Sequence, residues 1–188
     1  MDSLELFGDT LVLVTYHVHQ TYENSPALQR EAFYDTNLAS PYVIFDGANI
    51  VVESNASMYE TRYTEAYNVA RTVTPLFNIN VDSASASSSQ GSFDLQIITA
   101  DTIPDNEIHA FIAIGEDSLS AFNDTTGTMV FMYLCRELQE ITLDLEYPDT
   151  LEQTIMFSHA IEVHKLSAVV FIQDMDTREV MQSTKIRF

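Results

Sequence analysis

The sequence predicts an α+β protein in two parts, a short α/β unit followed by an antiparallel β-sandwich. Three observations carry that prediction. The stretch Tyr42-Val43-Ile44-Phe45-Asp46-Gly47, continued by Ala48-Asn49-Ile50-Val51-Val52-Glu53, reads as a strand, a tight Asp-Gly turn and a returning strand. Helical spacing flanks this hairpin, from Ser25 to about Tyr34 and from Tyr59 to Val73. Beyond Thr74-Pro75 that spacing stops, and short segments alternate with period two. The boundary therefore falls at residues 74–77, giving units 1–75 and 76–188.

Within the first unit, Leu4-Glu5-Leu6-Phe7-Gly8-Asp9 resembles the last turn of a helix stopped by glycine. Leu11 to His19 follows as a strand of near-continuous apolar character, the pattern of burial on both faces. Ser25-Pro26 is a helix start, a cap residue and then proline at the first position, and the helix places Leu28 and Ala32 on one face. Pro41 opens the next strand, where a missing amide harms a ladder least. Ser57-Met58-Tyr59-Glu60 has capping-box spacing, and Tyr59, Tyr63, Ala66, Tyr67, Ala70 and Val73 then form one helical stripe. Such a stripe is a core face with hydroxyls at its rim, or else a ligand platform.

In the second unit, Phe77 to Val81, Phe93 to Ile97 and Ile108 to Ile114 alternate. Met129–Arg136, Ile141–Leu145, Thr154–His159, Ala168–Gln173 and Glu179–Ile186 are further strands, with a serine-rich turn at 83–91 and another at Asp174-Met175-Asp176-Thr177. Seven or so short strands joined by turns indicate an immunoglobulin-like sandwich.

Composition narrows the function. Of 188 residues, 46% are hydrophobic, enough for a sizeable core, while 8 basic against 28 acidic residues give a net charge of −20. Such a surface repels phosphate backbones and anionic lipids, which argues against nucleic-acid and membrane-surface binding. A solvated acidic surface is the plain reading of the charge; cation binding or a basic partner is the functional one. Cys135 is the single cysteine and lies in the apolar run Met129–Cys135, so no intrachain disulfide or CxxC pair can form and a buried, inert thiol is expected. No apolar run approaches the ~20 residues of a membrane-spanning helix. Asp2 and Glu5 stand where a signal peptide would be basic, so no leader is expected within this chain.

The combination of Val14-Thr15-Tyr16-His17, Ser40-Pro41-Tyr42-Val43-Ile44-Phe45-Asp46-Gly47, and a tail running Ala168-Val169-Val170-Phe171-Ile172-Gln173-Asp174 to Thr177-Arg178-Glu179-Val180-Met181-Gln182 resembles one family over nearly the whole chain. It is similar to the thioredoxin-like outer membrane proteins named for a 28 kDa founding member. The resemblance implies a thioredoxin-like first half, a cis peptide bond before Pro41, structural roles for Asp46 and Gly47, and an extracellular or cell-envelope location. It also implies that the chain starts near the end of the helix that carries CxxC in that family, lacking the strand and cysteines before it. Leu11–Val18 and Tyr42–Phe45 are then expected either to pair directly or to leave an edge open for a partner protein or a second copy.

Candidate ligands are few. His17 and His19 share a strand face as a metal pair could; the alternative is one packed and one polar histidine, and a zinc site needs three or four converging ligands. Asp174 and Asp176 head the acidic loop clusters that calcium would favour, without EF-hand spacing; the alternative is a turn whose aspartates bond their own backbone. No nucleophile elbow or phosphate-binding glycine loop is present, so no catalytic residue is assigned. The expected role is non-catalytic interaction or scaffolding in the bacterial envelope or secreted fraction. Two alternatives stand beside it: a fragment of a thiol-disulfide oxidoreductase whose CxxC segment is missing, and a calcium-dependent binding module.

Overall fold

A computed structural model of the protein describes residues 11–18, 22–34, 42–53, 55–123 and 127–188. The helix end expected at Leu4–Gly8, His19 and the bond before Pro41 lie outside the described residues. Among the described residues the architecture is α+β: two short helices, α1 (Ser25–Tyr34) and α2 (Tyr59–Ala70), with strands paired antiparallel.

Strands β1 (Tyr42–Phe45) and β2 (Asn49–Val52) form the expected hairpin. The sandwich follows as β3 (Phe77–Ala86), β4 (Gln90–Thr99), β5 (Ile108–Glu116), β6 (Leu119–Asn123), β7 (Gly127–Phe131), β8 (Leu134–Leu143), β9 (Thr150–Ser158), β10 (Leu166–Asp174) and β11 (Val180–Arg187). One sheet has the order β11-β10-β5-β8 and the other β3-β4-β9, while β6 and β7 make a separate hairpin. The two large sheets meet face to face through their alternating apolar residues: Phe93, Leu95 and Ile97 of β4 against Ile112, Ile114 and Val170 of the facing sheet. Each such side chain, fully buried, contributes about 1.5–3 kcal/mol. The sandwich is therefore the energetic base of the molecule.

β5 and β10 are buried along almost their whole length, on both faces. Their second face, Phe111, Ala113, Val169 and Phe171 with Cys135 of β8, is covered by Val12, Val14 and Tyr16. This corrects the expected strand at Leu11–Val18. The segment makes a single bridge, between Thr15 and Leu134, and no pairing with β1 among the described residues. Its apolar character is spent on covering a sheet face, so continuous hydrophobicity arises without a ladder. Thr15 is nonetheless fixed three times, donating its amide to Tyr133 O (2.9 Å) and its hydroxyl to Met132 O (2.9 Å), and accepting from the Cys135 amide (2.9 Å).

The helices also differ from expectation in detail. Asn24 caps α1, its Oδ1 accepting from the Ala27 amide (2.9 Å) while its Nδ2 donates to Cys135 O (2.7 Å). The buried face of α1 is Ala27 and Arg30, and Leu28 is 43% exposed. A capping box at Ser57 does not form; Asn55 Oδ1 accepts from both the amide and hydroxyl of Ser57, closing a short 3-10 turn ahead of α2. The tyrosine stripe of α2 does face the hairpin, with Tyr63 buried against Phe45 (centroids 5.9 Å) and stacked on Tyr59 (5.7 Å).

Candidate interaction site

A cleft of about 700 Å³ opens beside β11, between it, the β1–β2 turn and the end of α2. One wall is β11, contributing every residue from Val180 to Lys185 and then Arg187. The other walls come from the β1–β2 turn at Asp46, the end of α2 at Arg71, and Leu11, Val12 and Tyr133. Ile186 points into the core, so alternation turns its neighbours Lys185 and Arg187 outward. Lys185 Nζ sits 3.5 Å from the centroid of Tyr133, and the Arg71 guanidinium lies 5.7 Å from that of Tyr67. Among the described residues, neither Arg71 nor Arg187 has a carboxylate within ion-pair distance.

The cleft exists because three elements are pinned together beside it. Asp46 (φ 44°) and Gly47 (φ 71°) both adopt the positive φ that a type I′ turn requires. The turn abuts the β10–β11 connection, where Val180 donates its amide to Asp46 O (2.8 Å). Gln173, fully buried, donates to Arg178 O (2.6 Å) and Tyr34 OH (2.9 Å) and accepts from Arg30 (2.6 Å). Arg30 itself is 5% exposed and sits among the rings of Phe33, Tyr34, Phe111 and Phe171, at 4.7 to 5.5 Å. No carboxylate pairs with it among the described residues, and its Nε has no hydrogen-bond partner.

Asp46 lines the cleft with a carboxyl pushed above the ordinary range, first by burial and then by the like charge of Glu179. An acid whose folded pKa is raised holds its proton longer folded than unfolded, so its contribution to stability falls as pH rises from about 4 through the raised value. Asp46→Asn, which keeps a side chain tolerant of positive φ, is therefore expected to stabilise the protein at pH 7 and to change little at pH 3.5. Urea midpoints at the two pH values test this; the effect is modest, because the residue as a whole is exposed. A loss of stability at pH 7 would contradict it.

The residues singled out from sequence end up scattered. Asp174 closes the β10–β11 turn: burial opposes its ionisation, but Asn106 (2.6 Å) and the amides of Asp176 (2.9 Å) and Thr177 (2.8 Å) hold its carboxyl below the usual range. Its oxygens are engaged by N–H donors, as in the turn alternative, and Asp176 accepts from the Glu107 amide (3.4 Å). His17 packs edge-on against Tyr22, with centroids 6.2 Å apart. His109 is buried between Glu107 (2.9 Å) and Glu140, each on a different ring nitrogen. Among the described residues no cluster of three or more His, Cys, Asp or Glu is arranged to hold a metal. Cys135 is buried and donates to Glu137 O (3.4 Å); burial pushes its thiol up to about 12, although Arg30 pulls it down.

No protein-family model matches the sequence, and no curated protein matches it. Among solved structures the fold is similar to HBP35 of Porphyromonas gingivalis, with a TM-score of 0.62 over 85% of this chain at 8% identity, and the match covers 57% of that chain. A domain of the outer membrane lipoprotein Omp28 from Porphyromonas gingivalis matches 62% of this chain and 91% of its own, at a TM-score of 0.39 and 10% identity. A β-glucosidase from Kluyveromyces marxianus matches 61% of this chain and 14% of its own, at 0.30 and 5% identity. The last two are too distant to argue from. The first shows a shared fold alone, in a protein of which this chain spans a little over half.

Proposed function

We propose that the chain is a non-catalytic interaction or scaffolding unit of a bacterial envelope or secreted protein, built from a thioredoxin-like half docked on a β-sandwich. The observation that carries this reading is the state of Cys135. Thiol exchange needs an accessible thiolate with a lowered pKa, as at a helix start beside a cation. Here the only thiol is buried beneath Asn24 and Tyr16, with its pKa displaced upward. What the hairpin and α2 still supply is shape: they complete the cleft beside β11. The envelope location and the thioredoxin-like ancestry rest on the sequence motifs at residues 14–17, 40–47 and 168–182, and likeness to HBP35 supports the fold over which those motifs are spread.

Two measurements test the reading. Native protein is expected to resist a thiol-specific chromogenic reagent for an hour and to react with one equivalent once unfolded, and it should not accelerate insulin reduction. Rapid native labelling together with insulin reduction would replace scaffolding by redox chemistry. Fractionation of the producing cell should recover the protein with the envelope or the medium; recovery in the cytosol would remove the location.

A further inference from the structure

We propose that the cleft beside β11 takes an extended, acidic polypeptide segment, laid along the strand edge as an added strand. The proposal names the partner class for the binding role above and rests on that reading. Backbone, charge and length point the same way. β11 is the last strand of its sheet, and the unbroken run Val180 to Lys185 lines the cleft, so the wall is a strand edge rather than one alternating face. Such an edge offers amides and carbonyls to an incoming chain, the basis of recognition by strand addition. The Val180 amide is already taken by Asp46 O, so the β1–β2 turn marks where the added strand must end, and the Ser183 amide is held by Gln182 Oε1 (2.9 Å), which an incoming carbonyl must displace.

Charge selects the occupant. Only 8 residues of the chain are Lys or Arg, against 28 acids. Three of those cations, Arg71, Lys185 and Arg187, line this one cleft. An anionic segment is repelled by most of the surface and attracted here, the arrangement that gives specificity and on-rate. Among the described residues one acid lines the cleft, Asp46, and its carboxyl is shifted toward the neutral form, which reduces its opposition. A net charge of −20 disfavours a second copy as the occupant. The eight residues of β11 extend over about 26 Å at roughly 3.3 Å per residue, a length that matches a short peptide better than a small ligand.

The test uses the full chain and a fluorescein-labelled decapeptide of alternating Glu and Val, followed by anisotropy. Binding is expected at 50 mM salt, weakened at least tenfold by Arg71→Glu with Arg187→Glu and weakened again at 300 mM salt. Arg62→Glu, an exposed control that pairs with Glu53 and Glu65, should leave binding unchanged. Circular dichroism confirms that each variant is folded. A Lys/Val peptide should not bind, and the Glu/Val peptide N-methylated at alternate residues should lose binding. Equal binding of the methylated peptide overturns strand addition, and indifference to the double substitution overturns the cleft. A wild-type dimer in sedimentation that the double substitution dissolves would assign the cleft to a second copy instead. Insulin reduction by the wild type would overturn the non-catalytic reading without touching the peptide result, so the two failures are separable.

Discussion

Arg30→Ala is expected to lower the unfolding free energy by about 3 kcal/mol, the range for emptying a buried side chain while orphaning a polar partner. Arg30 is a cation with almost no solvent exposure in a protein whose surface is crowded with acids, yet its guanidinium faces rings. A desolvated cation over aromatic faces recovers up to about 2 kcal/mol per good contact, which offsets part of its dehydration. The remainder is met by hydrogen bonds to Gln173 Oε1 (2.6 Å) and Tyr34 OH (2.8 Å). Truncation removes the stem that fills the space between α1 and Phe111 and leaves the Gln173 carbonyl without its donor. Urea denaturation followed by far-UV circular dichroism measures the loss. A change under about 1 kcal/mol would show that the site collapses freely and that Arg30 is no keystone.

The partner substitution Arg30→Met separates packing from charge. Methionine keeps a long, adaptable stem against the rings and removes the charge along with its hydrogen bonds. Replacing a buried cation by an apolar side chain of similar length is often nearly neutral, so Arg30→Met should cost about 1 kcal/mol, mostly from the orphaned Gln173. If methionine is as damaging as alanine, the hydrogen bonds rather than the stem hold α1 to the sheet.

Where the sequence was legible, the reason is periodicity with a long reach. β4 and β5 announced themselves because Phe93, Leu95 and Ile97, and Ile108 to Ile114, place alternate residues in the shared core. β6 was missed because Leu119 to Asn123 is short and pairs only with β7, with no sandwich face to impose a pattern. At Met129 to Arg136 a single expected strand proved to be the end of β7 and the start of β8, broken at Tyr133 with φ 56°. The buried face of α1 could not be read from hydrophobicity, since one of its two buried residues is an arginine and Leu28 faces out. Nor could the cleft be read. Its walls bring together Asp46, Arg71, Tyr133 and Lys185, which lie tens of residues or more apart.

Gly47→Ala should be the most damaging single-methyl change in the hairpin, costing about 3 kcal/mol through left-handed strain and forced separation of backbones. At φ 71° an L side chain is strained whatever the space around it, by about 1–2 kcal/mol. Space is also lacking: a Cβ at this position would lie 1.8 Å from Arg178 O and 2.8 Å from Gln173 Nε2. Neither neighbour can yield cheaply, because Arg178 O is backbone and already accepts from Gln173, whose own carbonyl is held by Arg30. The hairpin must therefore lift from the β10–β11 turn, losing the bond from Val180 to Asp46 and opening the cleft at one end. Since Arg30 and Gly47 act on the same residue, Gln173, the double substitution should cost less than the sum of the single ones by 0.5 kcal/mol or more, the signature of sites sharing one network. Strictly additive losses would mean that helix and hairpin dock on the sandwich independently.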